Sequence, residues 1–211
     1  MTIKPITLYA WNTPNGRKLS IALEEMELPY VVKPVNITSG EQFQPAFLAI
    51  SPNNKIPAIV DPEGPDGQPI SVFESGAILL YLGEKTGKFL PDGLAERVPV
   101  LEWLMWQMGG FGPIPGQVHH FAALASDEDK RYGFKRFSDE TCRLYSVLDK
   151  RLAGRMFVAG ELSVADFAIL GWAWRHERHK IDLAAYPNVK RWYEMMFERP
   201  GVRRGFDVKL D

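Results

Sequence analysis

"SPNNKIPAIVDPEGPDGQPISVFESGAILLYLGEKTG", Ser51–Gly87, decides the fold. Two runs in it, "IPAIVD" (56–61) and "PISVFES" (69–75), are short and rich in strand formers. The linker "PEGPDGQ" (62–68) holds two Pro and two Gly in seven residues, which reads as a hairpin turn. The period then changes. In "SGAILLYLGEKTG" (75–87), Ile78, Leu79 and Leu82 form an apolar helix face, and Gly87 closes it as a C-cap.

Upstream, "ITLYAW" (6–11) alternates apolar and polar positions as a strand does. Thr13-Pro14 follows, an N-cap residue and a proline at the first helical position. Leu19, Ala22, Leu23 and Met26 then fall on one helix face. "PYVVKPVNI" (29–37) reads as a second strand and "FQPAFLAI" (43–50) as a short helix. Residues 1–87 therefore read β-α-β-α-β-β-α, an α/β domain with a mixed sheet. Beyond "KFLPDG" (88–93) the strand signals stop. The stretches 96–110, 127–154, 163–179 and 188–200 are all helical in pattern, so residues 94–211 are expected to form an all-α domain.

Composition narrows the function classes. The 211 residues are 45% hydrophobic, enough for one large core or two small ones. A net charge of −1 gives no polybasic surface for nucleic acid. The single cysteine, Cys142, excludes an internal disulfide framework and a Cys-based zinc cluster. It sits among Leu144 and Leu148 and is expected to be a buried small hydrophobe. "MTIKPITLYAW" lacks the apolar core of a signal peptide, and no apolar run approaches the roughly 20 residues of a membrane span. A cytoplasmic protein acting on neither membrane nor nucleic acid is expected.

Several stretches offer chemistry. Pro57 in "NNKIPAIVD" is either an ordinary trans proline at a strand start or a cis proline. In the cis case the Ile56 N–H and C=O turn outward to pair with an extended, peptide-like ligand. Glu74-Ser75 is either a solvated carboxylate beside a cap, or an ammonium seat beside a carboxylate seat at a helix N-terminus. "MWQMGGFGPIPGQVHHF" (105–121) reads as an apolar helix kinked at Gly109-Gly110 and Pro113, either a core element or the wall of a hydrophobic site. Ser163 and Asp166 have capping-box spacing and are read as structural. His119 and His120 are adjacent and diverge around a helix, and "HERH" (176–179) misses the zincin spacing, so no metal is expected.

The order and spacing of "TPNGRK", "SPNNKIPAIVD", "VFESGAILLYL", "WQMGGFGPIPGQVHHF" and "SVADF" resemble the glutathione S-transferase superfamily over the whole chain. They are similar to its bacterial Nu-class, Ure2-like branch. The resemblance implies a thioredoxin-like first half, an all-helical second half, a homodimer, and glutathione bound in each subunit. It implies that Ile56 precedes a cis Pro57 and pairs with the cysteinyl unit. Glu74 and Ser75 would hold the γ-glutamyl ammonium and carboxylate, Gln42 and Lys55 the glycyl end or carboxylates. Arg136 would reach the ligand from the long helix.

In most members of that superfamily a Tyr, Ser or Cys meets the thiol just after the first strand. Tyr9 lies inside the strand, too early, and the matching positions are Thr13 and Asn15. Only the thiolate attacks, and a free thiol has a pKa around 8.5. Thr13 and Asn15 can donate to sulfur beside a helix N-terminus, but neither ionises near neutral pH. The implied activity is glutathione-dependent disulfide reduction, with thiols that belong to the ligands and weak transferase or peroxidase side activity. One alternative is conjugation of glutathione to electrophiles, with Trp103, Trp106 and Met108 forming the acceptor pocket. The other is a non-catalytic glutathione-binding regulator.

Overall fold

The computed structural model describes residues 4–124 and 127–211. The chain runs β1 (Ile6–Ala10), α1 (Pro14–Glu25), β2 (Tyr30–Pro34), α2 (Pro45–Leu48), β3 (Ala58–Asp61), β4 (Ile70–Phe73) and α3 (Ser75–Thr86). Helices α4 (Leu94–Gly109), α5 (Pro113–Ala122), α6 (Asp127–Leu152), α7 (Val164–Ala173), α8 (Pro187–Glu198) and α9 (Pro200–Asp207) follow. Two compact units result. One comprises the chain up to Leu90 with Glu198–Asp211, the other Pro91–Phe197.

In the first unit the strand order is β2-β1-β3-β4. β1 and β2 are parallel, with Ile6 opposite Tyr30 and Ala10 opposite Pro34. Parallel neighbours need a crossover, which α1 supplies. β3 is antiparallel to both β1 and β4. Both hairpin strands are shorter than the sequence pattern suggests. β3 starts at Ala58, because Pro57 has no N–H to give the ladder. β4 stops at Phe73 because Glu74 turns away with φ of 69°. Leu19, Ala22, Leu23 and Met26 are buried as the periodicity predicts, and Gly87 ends α3 in the left-handed region.

In the second unit the structure corrects three expectations. The segment 105–121 is two helices, not one kinked helix: α4 ends at Gly109 and α5 starts at Pro113. The stretch 163–179 is helical only to Ala173. The run "RHERHK" beyond it forms turns, in which the His176 Nδ1 meets the Ile181 carbonyl oxygen at 3.0 Å. Cys142 is exposed rather than buried. It lies about 100° round α6 from Thr141, while the buried face carries Thr141, Leu144, Tyr145, Leu148 and Leu152. The Ser163–Asp166 capping box does form. The Asp166 carboxylate accepts from Ser163 N and Oγ, from Val158 N and from Trp192 Nε1, at 3.0–3.1 Å. Among the described residues, no helix is long and apolar enough to cross a membrane.

Helix α9 had no counterpart in the sequence reading. It packs on α1. Gly205 allows the approach: a Cβ there would meet the Ile21 Cα at 2.6 Å. With α9 in place, α1 buries Arg17 and Ser20 as well as its apolar face. Arg17 donates to Gly205 O at 3.1 Å and Val208 O at 2.8 Å, and clasps Asn12 Oδ1 at 3.2 and 2.9 Å. Glu25 accepts from Arg199 and from Val202 N. Replacing Arg17 with Ala strands these acceptors. It is expected to destabilise the protein by about 3 kcal/mol, read as a lower urea midpoint. A change below about 0.5 kcal/mol would mean that the clasp contributes nothing.

Candidate functional site

The turn between β1 and α1 carries the first expected site residues. Thr13 caps α1 in extended conformation, and its Oγ1 accepts from Gly16 N at 3.2 Å. Accepting there leaves the hydroxyl proton available as a donor. Asn15 stands in the first turn and is half-buried, as is Thr13. Gly16 is required by close packing: a Cβ would meet the Trp11 carbonyl oxygen at 2.4 Å. No Cys, Ser or Tyr occupies residues 10–17. Tyr9, within β1, turns its ring to Phe47 at 6.3 Å, under Lys33.

The turn between β4 and α3 carries the next pair. Glu74 is exposed and adopts φ 69°, ψ 116°, a left-handed conformation that a non-glycine residue rarely takes. Ser75 opens α3 and is only 3% exposed. Its Oγ accepts from Lys18 Nζ at 3.1 Å. Lys18 is 1% exposed. Desolvation lowers its pKa to about 7, against the opposing pull of Glu74. Glu74 Oε1 also accepts from Asn53 Nδ2 at 3.4 Å. Lys18 thus ties α1 to Ser75, and Asn53 ties the loop before β3 to Glu74.

That loop holds the other expected residues. The Ile56–Pro57 peptide bond is cis. Among the described residues, no backbone hydrogen bond uses the Ile56 N–H or C=O. Its side chain is packed against Val35, Phe47 and Ala58. Lys55 is exposed, and its carbonyl oxygen accepts from Ser51 Oγ at 2.8 Å. Gln42 sits in a 3-10 turn, Glu41–Phe43, and its Nε2 donates to Ile37 O at 3.4 Å. Gln42 Oε1 is buried with no partner among the described residues.

The remaining expected residues lie in the second unit. Arg136 is exposed on α6 and lines a groove of about 900 Å³ with Ile114, Arg131, Tyr132, Lys135 and Arg143 among its neighbours. Trp103, Trp106 and Met108 do not line that groove. Trp103 meets Trp106 edge-on at 5.1 Å, and Trp106 stacks on Phe111 at 5.1 Å. Arg151 covers the Trp103 ring at 5.3 Å.

Comparison with known proteins places the chain. Residues 13–85 match the glutathione S-transferase N-terminal domain and residues 114–200 the C-terminal domain. The disulfide-bond oxidoreductase YfcG of Escherichia coli (strain K12) is 52% identical over 199 residues, 93% of this chain and 92% of that one. The chain belongs to the glutathione S-transferase family.

Solved structures agree. A glutathione transferase family member from Pseudomonas fluorescens pf-5 with two glutathione bound has a TM-score of 0.89 at 45% identity, covering 95% of this chain and 92% of that one. A glutathione transferase from Pseudomonas putida with one glutathione disulfide bound per subunit has a TM-score of 0.91 at 43% identity, covering 97% and 91%. The thioredoxin-like half followed by an all-helical half, expected from the sequence, is the observed architecture of this glutathione S-transferase family chain.

Sequence reasoning missed Lys18 and Asn53, and it met His179 only as part of "HERH", not as a buried ring. Lys18 left a signal: it lies one turn before Ala22, a charge on a stripe otherwise destined for burial. His179 left none, since its partners are remote in sequence. Its ring stacks on His119 at 4.9 Å and on Trp172 at 6.1 Å, and its Nδ1 lies 3.0 Å from the Tyr145 hydroxyl. Burial pushes His179 down to about 3 and His119 to about 4, with Arg175 and Arg178 adding to both shifts. A histidine whose folded pKa lies below its unfolded value binds fewer protons folded than unfolded in the window between. Stability is therefore complete above about pH 6.5 and is lost as pH falls towards the folded values. Between about pH 7.5 and pH 5 the unfolding free energy should drop by roughly 2 kcal/mol for each ring, measured by urea titration. His119→Phe, which retains a stacking ring, should flatten that slope, and an unchanged slope would remove His119 from this role.

Proposed function

We propose that this protein is a glutathione-dependent disulfide reductase of the Nu-class type, with glutathione as the source of both thiols. The observation that carries the reading is the start of α1. A capped helix N-terminus stands there with donors at Thr13 and Asn15 and with no thiol or phenol of its own in residues 10–17. Such a site stabilises a sulfur anion brought to it, by hydrogen bonds and by the helix dipole. It does not supply a base or a nucleophile.

The other residues suit the rest of the tripeptide. Ile56 offers an N–H and a C=O that no backbone hydrogen bond uses among the described residues, the pair needed to bind the cysteinyl unit as an added strand. Ser75 and the N-terminus of α3 suit the γ-glutamyl carboxylate, and Glu74 suits its ammonium. Lys55, Gln42 and Arg136 are assigned to the remaining carboxylates and amides. The likeness to YfcG, named a disulfide-bond oxidoreductase, supports the reaction. The likeness to structures holding two glutathione or one glutathione disulfide supports the stoichiometry. The family resemblance supports a homodimer in the reducing cytoplasm, where a glutathione pool is available.

The electron balance follows from thiol–disulfide exchange. One glutathione thiolate attacks a substrate sulfur, the substrate S–S bond breaks, and the departing thiolate takes a proton. The second glutathione thiolate attacks the glutathione sulfur of the mixed disulfide and releases the other substrate thiol. The substrate gains two electrons, and two glutathiones become one glutathione disulfide.

The test is reduction of 2-hydroxyethyl disulfide by glutathione. Thr13→Ala and Asn15→Ala should each lose about tenfold to a hundredfold in kcat/KM. Thr13→Ser, which keeps both the cap and the donor, should keep most of it. Unchanged rates in both alanine variants would sink this assignment. Faster turnover of a halogenated aromatic than of the disulfide would favour conjugation in a pocket at Trp103, Trp106 and Met108. Glutathione-dependent thermal stabilisation with neither activity would identify a binding protein.

A further inference from the structure

The segment after α9, residues 208–211, has no regular secondary structure, yet it carries a fully buried side chain. Leu210 is 0% exposed, between the exposed Lys209 and Asp211. It packs against the start of α1. A Cβ added to Gly16 would lie 3.3 Å from Leu210 Cδ1, so a leucine methyl closes on the glycine from one side while the Trp11 carbonyl oxygen crowds it from another. Gly16 N in turn donates to Thr13 Oγ1 at 3.2 Å. Polar contacts fasten the same segment to the same turn. Arg17 Nη1 donates to Val208 O at 2.8 Å, and its Nε and Nη2 hold the Oδ1 of Asn12, the residue before Thr13. Asn12 Nδ2 donates to Asp211 Oδ2 at 3.4 Å. An irregular segment held this way is placed by the turn it meets, and it holds that turn in return.

We propose that Leu210 is a positioning residue of the turn that receives the sulfur: it packs behind Gly16, keeps the Gly16 N–H on Thr13 Oγ1, and so holds the Thr13 and Asn15 donors set for a thiolate. Donors stabilise a charge best when they need not reorganise to meet it. Removing the leucine side chain leaves a space behind Gly16 that the surroundings refill only in part. Gly16 has no side chain to anchor it and the widest choice of backbone conformations, so it is the residue freest to move into that space. Its N–H then leaves Thr13 Oγ1, and a shift of about 1 Å is enough to cost much of a positioned interaction. Leu210 brings no polar atom to the sulfur and acts only through the turn.

This inference rests on the glutathione reading of the site, and the experiment separates the two. The thiolate share of bound glutathione is read from its ultraviolet absorbance at neutral pH. In wild type it should exceed that of free glutathione, and Thr13→Ala should reduce it. Leu210→Ala should lower the thiolate-to-thiol ratio about threefold to tenfold and lower kcat/KM for 2-hydroxyethyl disulfide in step. Its affinity for S-hexylglutathione, whose sulfur cannot ionise, should stay within about twofold of wild type. Leu210→Met, close in volume, should keep most of the ratio. Val202→Ala is the control for simple loss of stability. Val202 is 0% exposed in α9, but its N–H meets Glu25 at the other end of α1. That variant should lower the urea midpoint and leave the ratio unchanged. A wild-type ratio in Leu210→Ala, or an equal loss in Val202→Ala, overturns the inference and leaves the site reading standing. If Leu210→Ala does not fold, Leu210→Val decides in its place by the same criterion. A ratio in wild type no higher than that of free glutathione overturns the site reading and the inference together.

Discussion

Helix α1 is buried along both flanks, against α3 on one and α9 on the other, and most of the first unit's polar architecture follows from that constraint. A helix enclosed in this way cannot leave a charged side chain in water, so each must find a partner or be costly. Arg17 finds carbonyls at the end of α9. Ser20 donates to Gly205 O at 2.7 Å. Lys18 donates to the Ser75 hydroxyl. The three residues are consecutive or nearly so, yet they hold together segments far apart in the chain.

The same constraint shapes the chemistry at the start of α1. Its first turn is fixed from within by Thr13 and from behind by the Arg17–Asn12 contacts, and Gly16 closes on the Trp11 carbonyl with no space for a side chain. A turn held this firmly presents donors with little reorganisation. Firm donors without a base favour a ligand that brings an acidic thiol of its own. No cysteine stands there, and Cys142 is exposed on α6 in the other unit.

The sheet was legible because its signals are local. Turn residues 62–68, the period change at Ser75 and the proline after Thr13 each act over a few residues, and each marks an observed boundary to within about two positions. The candidate site rests on motif order along the chain and the family resemblance it carries, which is how Ile56, Glu74 and Ser75 entered it. The rest depends on tertiary contact. Lys18 shows as a charge on a stripe otherwise destined for burial, but its contact with Ser75 lies 57 residues away and leaves no local mark. Cys142 reads as core because leucines flank it, but the turn of α6 carries it round to solvent. The His119–His179 stack joins residues 60 apart, and sequence spacing could only say that His119 and His120 do not meet.

The two units therefore depend on pH in opposite senses. In the second, burial keeps His119 and His179 neutral, and acid works against that state. In the first, burial works against the ammonium of Lys18, and base removes it. Neutral rings and a charged Lys18 coexist between the two sets of values, on the acid side of neutrality. Each limit is set by which group its unit has buried, because burial disfavours the charged form of either.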